Sequence, residues 1–377
     1  VSSISPNTGS TDPPPWRSTG VIINDAAYAS VVAPTRPVTD ADVAALGESM
    51  VTFLPSHPGR LADVPSFHRA IGGAESNVVC ALAAFGHTAR WVSRVGADGF
   101  GDHLVERIAG YGVDVTAVRR DPGRPTGVYF RTAGDRGTGA HEVAYYRAGS
   151  AASAMSVRNV DLTAARAARV LHLSGITAAL SARCRELLYE LTAPGPGRPL
   201  VSFDVNHRPG LWRDGEGAEV LLELARRADI VFVGEDEADH AWGITGGPAA
   251  VRRLLPEPRV LVVKEGARGA TAFTRDRPDG TFQPALHTAV VATTGAGDAF
   301  AAGFLSATLR GLPVKTRLKY GHLFAAAALT TPGDLAAPPA RDHADRLAAL
   351  DDGAWGRLRL GPGWTRAEQA EEEANIP

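Results

Sequence analysis

One hexapeptide, Thr293-Thr294-Gly295-Ala296-Gly297-Asp298, constrains this chain more than any other feature. It stands between an apolar β-branched run, Thr288 to Val291, and a long apolar helical pattern from Asp298 to Leu309. Glycines at such a junction let successive backbone N–H groups turn toward one point, and the helix N-terminus adds positive potential at the same place. The result is an anion hole, suited to a phosphate passing through a charged transition state. A carboxylate at the mouth of that hole repels a phosphate, so Asp298 makes sense as a base that takes a proton from an attacking hydroxyl. The same residues also read as a plain helix start with an Asp cap and a glycine turn, and spacing alone does not choose between the two.

Around this junction the chain alternates short apolar runs with amphipathic helical patterns. Strand ends or strands are expected at Val92 to Val95, Arg169 to Leu173, Leu200 to Asp204, Ile230 to Val233, Val260 to Val263 and Thr288 to Val291. Helices are expected at Gly101 to Tyr111, Ser181 to Leu191, Glu216 to Arg227, Glu235 to Trp242 and Asp298 to Leu309. Continuous Val/Ile/Leu strands alternating with helices predict an α/β fold with a mostly parallel sheet covered on both faces. One stretch breaks the pattern: Thr126 to Arg131 and His141 to Arg147 are two strands with no helix between them, turned by Gly134-Asp135-Arg136-Gly137. A small antiparallel element inserted in such a domain reads as a lid.

Length and charge exclude several function classes. The 377 residues suffice for one large domain or two modest ones. With 39 basic against 41 acidic residues, no basic surplus points to nucleic acid or an anionic membrane. No run resembles a membrane-spanning helix. Cys80 and Cys184 lie in no metal-ligand spacing and read as buried thiols of a reducing compartment, which points to the cytoplasm. Residues 1–40, rich in Ser, Thr, Pro and Gly, are expected to form a disordered leader without the pattern of a signal peptide. Residues 41–340 would form the main domain, and 341–377 a helix (Asp342 to Leu350) and an acidic tail around Glu371-Glu372-Glu373.

Three further clusters carry chemistry. Gly72-Gly73 precedes a helix that Asn77 opens, so a small molecule can approach the backbone and meet an amide side chain; a tight turn with a cap is the plainer reading. Asp204-Val205-Asn206-His207-Arg208-Pro209 ends a strand, where open α/β sheets gather ligands, and Arg208 can pair with a carboxylate or phosphate; a salt bridge within the loop is equally open. Tyr145-Tyr146-Arg147 adds a polar, cationic strip to the lid, or is simply an exposed strand. His172, His207 and His322 are isolated and read as structural. No P-loop, zinc helix or hydrolase elbow motif is present.

Taken together, these pieces resemble the ribokinase-like (PfkB-type) carbohydrate kinases from about Val43 to Pro338. One signature runs from Gly72-Gly73 through Asn77 to Arg94-Val95-Gly96-Ala97-Asp98-Gly99-Phe100-Gly101; the other is Thr294 to Phe304. Leu46-Gly47-Glu48, Tyr145 to Ala151 and Phe203 to Trp212 look most like 2-keto-3-deoxygluconate kinases. The resemblance implies a three-layer α/β/α domain with a small β lid, ATP as phosphate donor, and Mg2+. It implies Asp298 as base and Gly295, Ala296 and Gly297 as anion hole. Glu48, Gly72, Gly73 and Asn77 would hold the sugar, with Tyr129, Tyr145, Arg147 and Arg208 around its acid end. Thr294, Lys264, Gly266, Arg268 and Gly269 would lie at the nucleotide, and Glu237 would serve the metal through water. The alternatives are a kinase of fructose, ribose, 5-dehydro-2-deoxygluconate or a nucleoside, and a non-catalytic sugar- or nucleotide-binding relative. Self-association through the lid is also expected.

Two positions depart from the family. Ala292 stands where an Asp usually helps hold a monovalent cation, which puts such activation in doubt. Gly234 stands where an Asn usually opens the Asn-x-x-Glu motif ending here in Glu237; Glu235 or Asp236 are the candidate substitutes.

Overall fold

The computed structural model describes residues 40–57, 59–132, 142–212 and 215–366. In chain order its elements are β1 (Ala41–Leu46), β2 (Met50–Pro55), β3 (Phe67–Gly72), α1 (Ala74–Ala84), β4 (Ala89–Gly96), α2 (Gly99–Ala109), β5 (Val118–Asp121), β6 (Val128–Arg131) and β7 (Val143–Tyr146). Then come α3 (Leu162–Arg166), β8 (Ala168–Ser174), α4 (Gly175–Ala179), α5 (Ala182–Thr192), β9 (Leu200–Asp204), α6 (Gly217–Arg227), β10 (Ile230–Gly234), α7 (Glu235–Trp242), α8 (Gly247–Leu254) and β11 (Val260–Lys264). The remainder is β12 (Gly269–Thr274), β13 (Arg277–Pro284), β14 (His287–Thr288), α9 (Ala296–Leu309), α10 (Val314–Leu329), α11 (Arg341–Ala348), α12 (Asp352–Arg357) and β15 (Arg359–Leu360).

Strand side chains alternate between two cores, as a sheet covered on both faces requires. Val43 and Ala45 of β1, Phe232 of β10 and Val262 of β11 face one core, shared with Val78 and Leu82 of α1, Phe304 of α9 and Phe324 of α10. Ala44 and Leu46, Val231 and Val233, and Leu261 and Val263 face the other, shared with Leu187 and Leu188 of α5 and Leu221 and Leu224 of α6. The central sheet has nine strands in the order β13-β12-β11-β10-β9-β8-β1-β4-β5. Every pairing from β11 to β5 is parallel, and β12 runs antiparallel to both β11 and β13. The mostly parallel three-layer α/β/α expectation therefore holds.

The lid is larger than expected. It is a four-stranded sheet ordered β3-β2-β6-β7, with β2 and β3 added to the two strands legible in the sequence. Val51 aligns with Val128 in a parallel pair, and Tyr129 faces Tyr145 in an antiparallel one. Phe53 stacks on Phe130 at 4.6 Å between ring centroids, and Phe67 meets Phe130 edge-on at 5.2 Å. The turn expected at Gly134 to Gly137 lies outside the described residues, as do the acidic run at Glu371 to Glu373 and, except for Asp40, the leader.

The expectation of a buried strand over Thr288 to Val291 is corrected. Only His287–Thr288 joins a ladder, a two-residue parallel pairing with Arg359–Leu360 apart from the central sheet. Val290 and Val291 are exposed. A β-branched run forms a core strand only where a second layer covers it, and here the run instead hands its backbone to Leu360 and Leu329, whose carbonyls accept from Ala289 and Val291. Beyond residue 340 the chain packs back on the first core: Trp355 and Trp364 are buried there, and the Lys319 ammonium lies 5.2 Å from the Trp355 ring. Among the described residues no helix is long and apolar enough to cross a membrane.

Candidate active site

The C-terminal ends of the parallel strands converge on the N-terminus of α9. Strand order reverses where β1 lies between β8 and β4, the kind of crevice in which open α/β sheets place ligands. Gly295 is the residue before α9 and sits in the left-handed region at φ 78°, with no side chain capping the helix. A Cβ there would come 2.1 Å from the Asp334 carbonyl oxygen, so both conformation and contact demand glycine. With no side-chain acceptor in the way, the first-turn N–H groups are left for an incoming anion.

Asp298 stands in the first turn of α9, half-buried. Asn77, in the first turn and a half of α1, donates from Nδ2 to Asp298 Oδ2 at 2.8 Å. Lys264, the last residue of β11, donates from Nζ to the Asp204 carboxylate at 3.2 and 3.3 Å, and a Cβ on Gly297 would lie 3.5 Å from the same Nζ. Burial pushes the Asp298 carboxyl up to about 7, with the Asp204 charge adding to the rise while Asn77, Lys264 and Arg208 oppose it. Burial acts against the Lys264 charge, but Asp204, Glu237 and Asp298 outweigh it and hold the ammonium above its ordinary range. The carboxyl is thus poised near neutrality at a helix start that no side chain caps, where the Ala296 N–H reaches the Thr293 carbonyl at 3.4 Å, a setting that suits a general base.

On the lid side, protein atoms fill the space that the two glycines open. A Cβ on Gly72 would lie 2.3 Å from Tyr129 Oη and 2.5 Å from Asp334 Oδ2; one on Gly73 would lie 2.4 Å from the Glu48 carbonyl. Tyr129 is buried and its hydroxyl donates to Asp334 Oδ2. Arg147 and Glu48 are turned toward each other: Nε donates to Glu48 Oε2 at 2.7 Å, Nη2 contacts the same oxygen, and Ser150 donates to Oε1 at 2.6 Å. Tyr145 is 54% exposed, with its ring 5.5 Å from Tyr129 and the Arg147 guanidinium 5.8 Å away. Arg208 is exposed and more loosely held, by the His207 carbonyl at 3.0 Å and Glu237 Oε1 at 3.5 Å.

Toward the expected nucleotide region, Gly266 adopts φ 60° in an open turn, and Arg268 pairs with Glu235 and, at 3.7 Å, with Glu265. Gly269 packs against Gln283, whose carbonyl would lie 2.3 Å from a Cβ. Glu237 Oε2 accepts from the Gly234 N–H at 2.7 Å, fastening the start of α7. No group of three or more His, Cys, Asp or Glu that could hold a metal occurs among the described residues. His172 bonds Ser202, and His322 bonds the Gln283 carbonyl; burial depresses them to about 3 and about 4, the structural role expected of both.

Sequence reasoning missed two residues of this region. Arg131, two positions after Tyr129 on β6, donates from Nη1 to Thr294 Oγ1 at 3.1 Å and is ion-paired through Nη2 with Asp334 Oδ1 at 2.7 Å. Asp334, between α10 and α11, is buried, and burial raises its carboxyl above the ordinary range against the pull of Arg131 and Tyr129. The period-two rule could have placed Arg131 on the Tyr129 face of its strand. Its partners, 163 positions away in the case of Thr294, could not have been read.

Comparison with known proteins agrees with this fold. A family model described as pfkB family carbohydrate kinase matches residues 40–341. The 2-dehydro-3-deoxygluconokinase of Bacillus subtilis (strain 168) is 34% identical over 306 residues, 80% of this chain and 93% of its own. The probable chloroplastic fructokinase-6 of Arabidopsis thaliana is 31% identical over 298 residues, 75% of each chain. An uncharacterized sugar kinase from Pyrococcus horikoshii, solved in complex with ATP, is 25% identical and has a TM-score of 0.71, covering 83% of this chain and 99% of its own.

Proposed function

This chain belongs to the pfkB family of carbohydrate kinases, and on that premise we propose that it moves the terminal phosphate of ATP to the 6-hydroxyl of 2-keto-3-deoxygluconate. The observation that carries the reading is Asp298, a carboxyl poised near neutrality at the uncapped N-terminus of α9. Asp298 takes the proton of the sugar hydroxyl. The freed oxygen forms a bond to the terminal phosphorus as the bond to the bridging oxygen breaks, ADP leaves, and the first-turn N–H groups of α9 receive the charge on the transferring group. Asn77 holds the carboxyl in place, and the lid excludes water from the reacting phosphate.

A row of N–H donors beside Lys264 fits an oligophosphate. No ready-made metal cluster is present among the described residues, so a magnesium ion would arrive hydrated with the nucleotide, and Glu237 at the start of α7 is the residue that would hold it through water. When bound, that ion would neutralise phosphate charge. Arg208, the more exposed and loosely paired guanidinium, supports an acidic sugar as substrate. A neutral sugar is the second reading, favoured by the internal pairing of Arg147 with Glu48 and by the resemblance to a fructokinase. Self-association through the exposed lid residues Val143, Tyr145 and Tyr146 completes the proposal.

The test is ADP release with ATP and Mg2+ on 2-keto-3-deoxygluconate, fructose, ribose, 5-dehydro-2-deoxygluconate and adenosine. Turnover of the keto-deoxy acid, lost in Asp298→Asn and weakened through KM in Arg208→Ala, is the expected result. Turnover of a neutral sugar alone overturns the acid assignment, and sugar binding without ADP release overturns the catalytic one.

A further inference from the structure

Two walls of the anion hole are held from the lid. The first wall is Thr294, whose hydroxyl accepts from Arg131 Nη1 at 3.1 Å. The second is Asp334, whose carbonyl packs against Gly295 so closely that no Cβ fits between them. Its carboxylate is ion-paired with Arg131 Nη2 at 2.7 Å and accepts from the Tyr129 hydroxyl. Tyr129 and Arg131 are two apart on β6 and therefore project from the same face of the lid strand. No side chain caps α9, so the position of its first-turn N–H groups depends on these neighbours rather than on a cap of its own.

We infer that Arg131 is a positioning residue for phosphoryl transfer, a lid-borne guanidinium that sets the anion hole by gripping Thr294 and Asp334 at once. The planar fork suits this task, because its two amines meet acceptors on two separate segments in one rigid geometry. The Arg131 side chain is only 12% exposed, and its Nε is buried without an acceptor among the described residues. That burial is costly, so the guanidinium relies on its hydrogen bond to Thr294 and its ion pair with Asp334, which together favour one orientation. The role follows for any sugar: the hole receives the phosphate, not the substrate's distinguishing groups. Arg131 therefore acts on the chemical step rather than on sugar affinity.

The inference rests on the kinase reading of the same site, and steady-state kinetics on the sugar that the wild type turns over distinguish the two failures. Arg131→Lys keeps the charge, which stays with the Asp334 carboxylate, and gives up the reach to the Thr294 hydroxyl. It is expected to lower kcat about 10- to 100-fold, as losses of supporting groups around a site commonly do, with the sugar KM changed less than about threefold. Thr294→Val removes one acceptor and is expected to lower kcat as well. The double variant should be no worse than Arg131→Lys alone, because both substitutions break the same contact. Melting temperatures measured alongside separate a lost fold from a lost position. Additive losses, a change confined to KM, or a wild-type kcat in Arg131→Lys each overturn the assignment. A wild type that turns over no sugar fails the kinase reading instead.

Discussion

Replacing Asp298 by Asn should remove activity and make the protein more stable, and the gain should depend on pH. The Asp298 carboxyl lies near 3.8 when unperturbed and at about 7 in the fold. A carboxyl whose folded pKa is raised holds its proton more tightly in the native state than in the unfolded one. Native stability therefore falls as pH rises from about 4 to about 7 and is flat above. Taken at face value, that displacement costs on the order of 4 kcal/mol at pH 8. The residue is half-buried rather than sealed, so solvent screening reduces the cost to about 1–2 kcal/mol. Asn is neutral at every pH, has nearly the same shape, and its oxygen can still accept from Asn77. The stability difference between variant and wild type should then grow by about 1 kcal/mol between pH 5 and pH 8, or about 2 °C in melting temperature for a chain of this size. Melts followed by circular dichroism at pH 5, 6, 7 and 8 measure it directly. A difference that is flat across this range, or that shrinks toward pH 8, refutes the claim that a buried, proton-retaining carboxyl stands at the hole.

Two further outcomes follow from the same geometry. In the wild type, kcat/KM should rise through about pH 7 as Asp298 ionises; Asp204→Asn removes a like charge and releases Lys264 from its partner, so the rising limb should move to lower pH, and an unmoved or higher limb in the pH–rate profile contradicts the coupling. Gly295→Ala forces a side chain into a left-handed φ of 78° and against the Asp334 carbonyl; it should lower kcat more than about 100-fold and the melting temperature by several degrees, a fold cost of about 1–2 kcal/mol from backbone strain alone, and a variant with wild-type turnover shows that the hole does not depend on this turn.

Which parts were legible in the sequence follows from how far each depends on distant partners. The parallel strands β8 to β11 and their helices were readable because each strand carries its own burial signal, a run of Val, Ile, Leu or Phe bounded by turn residues. Asp298 and its glycines were readable because turn and helix start are contiguous. The lid strands β2 and β3 were not. Met50–Pro55 is buried only in its first half, and Phe67–Gly72 exposes His68 and Arg69, so neither shows clean alternation. Thr288 to Val291 misled in the opposite direction, having strand composition without a layer to cover it. At Gly72 and Gly73 the need for glycine lies in the close approach of Tyr129, Asp334 and Glu48, which the sequence does not show. Arg131 carried no signal beyond its strand face and Asp334 none at all, since their meaning is a contact between the lid and the loop after α10.

The departure at Gly234 has a physical counterpart in the fold. A Cβ at that position would lie 2.4 Å from Asp236 Oδ1, so the Asp236 carboxylate already occupies the room that the first atoms of an Asn side chain would take. Glu235, the other candidate to stand in for the lost amide, is engaged by Arg268, and Glu237 is engaged by the Gly234 N–H. Of the three carboxylates at the start of α7, Asp236 is therefore the one whose position matches the missing group. The exchange is not neutral, because an amide can donate and a carboxylate only accepts. It places an added negative charge where an approaching nucleotide is itself anionic, and that repulsion must be met by positive charge. Lys264 is already balanced by Asp204, which leaves Arg208, itself loosely paired with Glu237, and the amides of α9. At Ala292 the change runs the other way: a position that holds a carboxylate in relatives is apolar here, two residues before a Thr294 hydroxyl bound to the Arg131 guanidinium. Near the hole the chain thus supplies fixed positive charge and drops an anionic group that would have recruited a mobile cation, while at α7 it gains an anionic group. The two departures oppose each other in charge: an acidic side chain is absent at Ala292, and the Asp236 carboxylate fills the room beside Gly234.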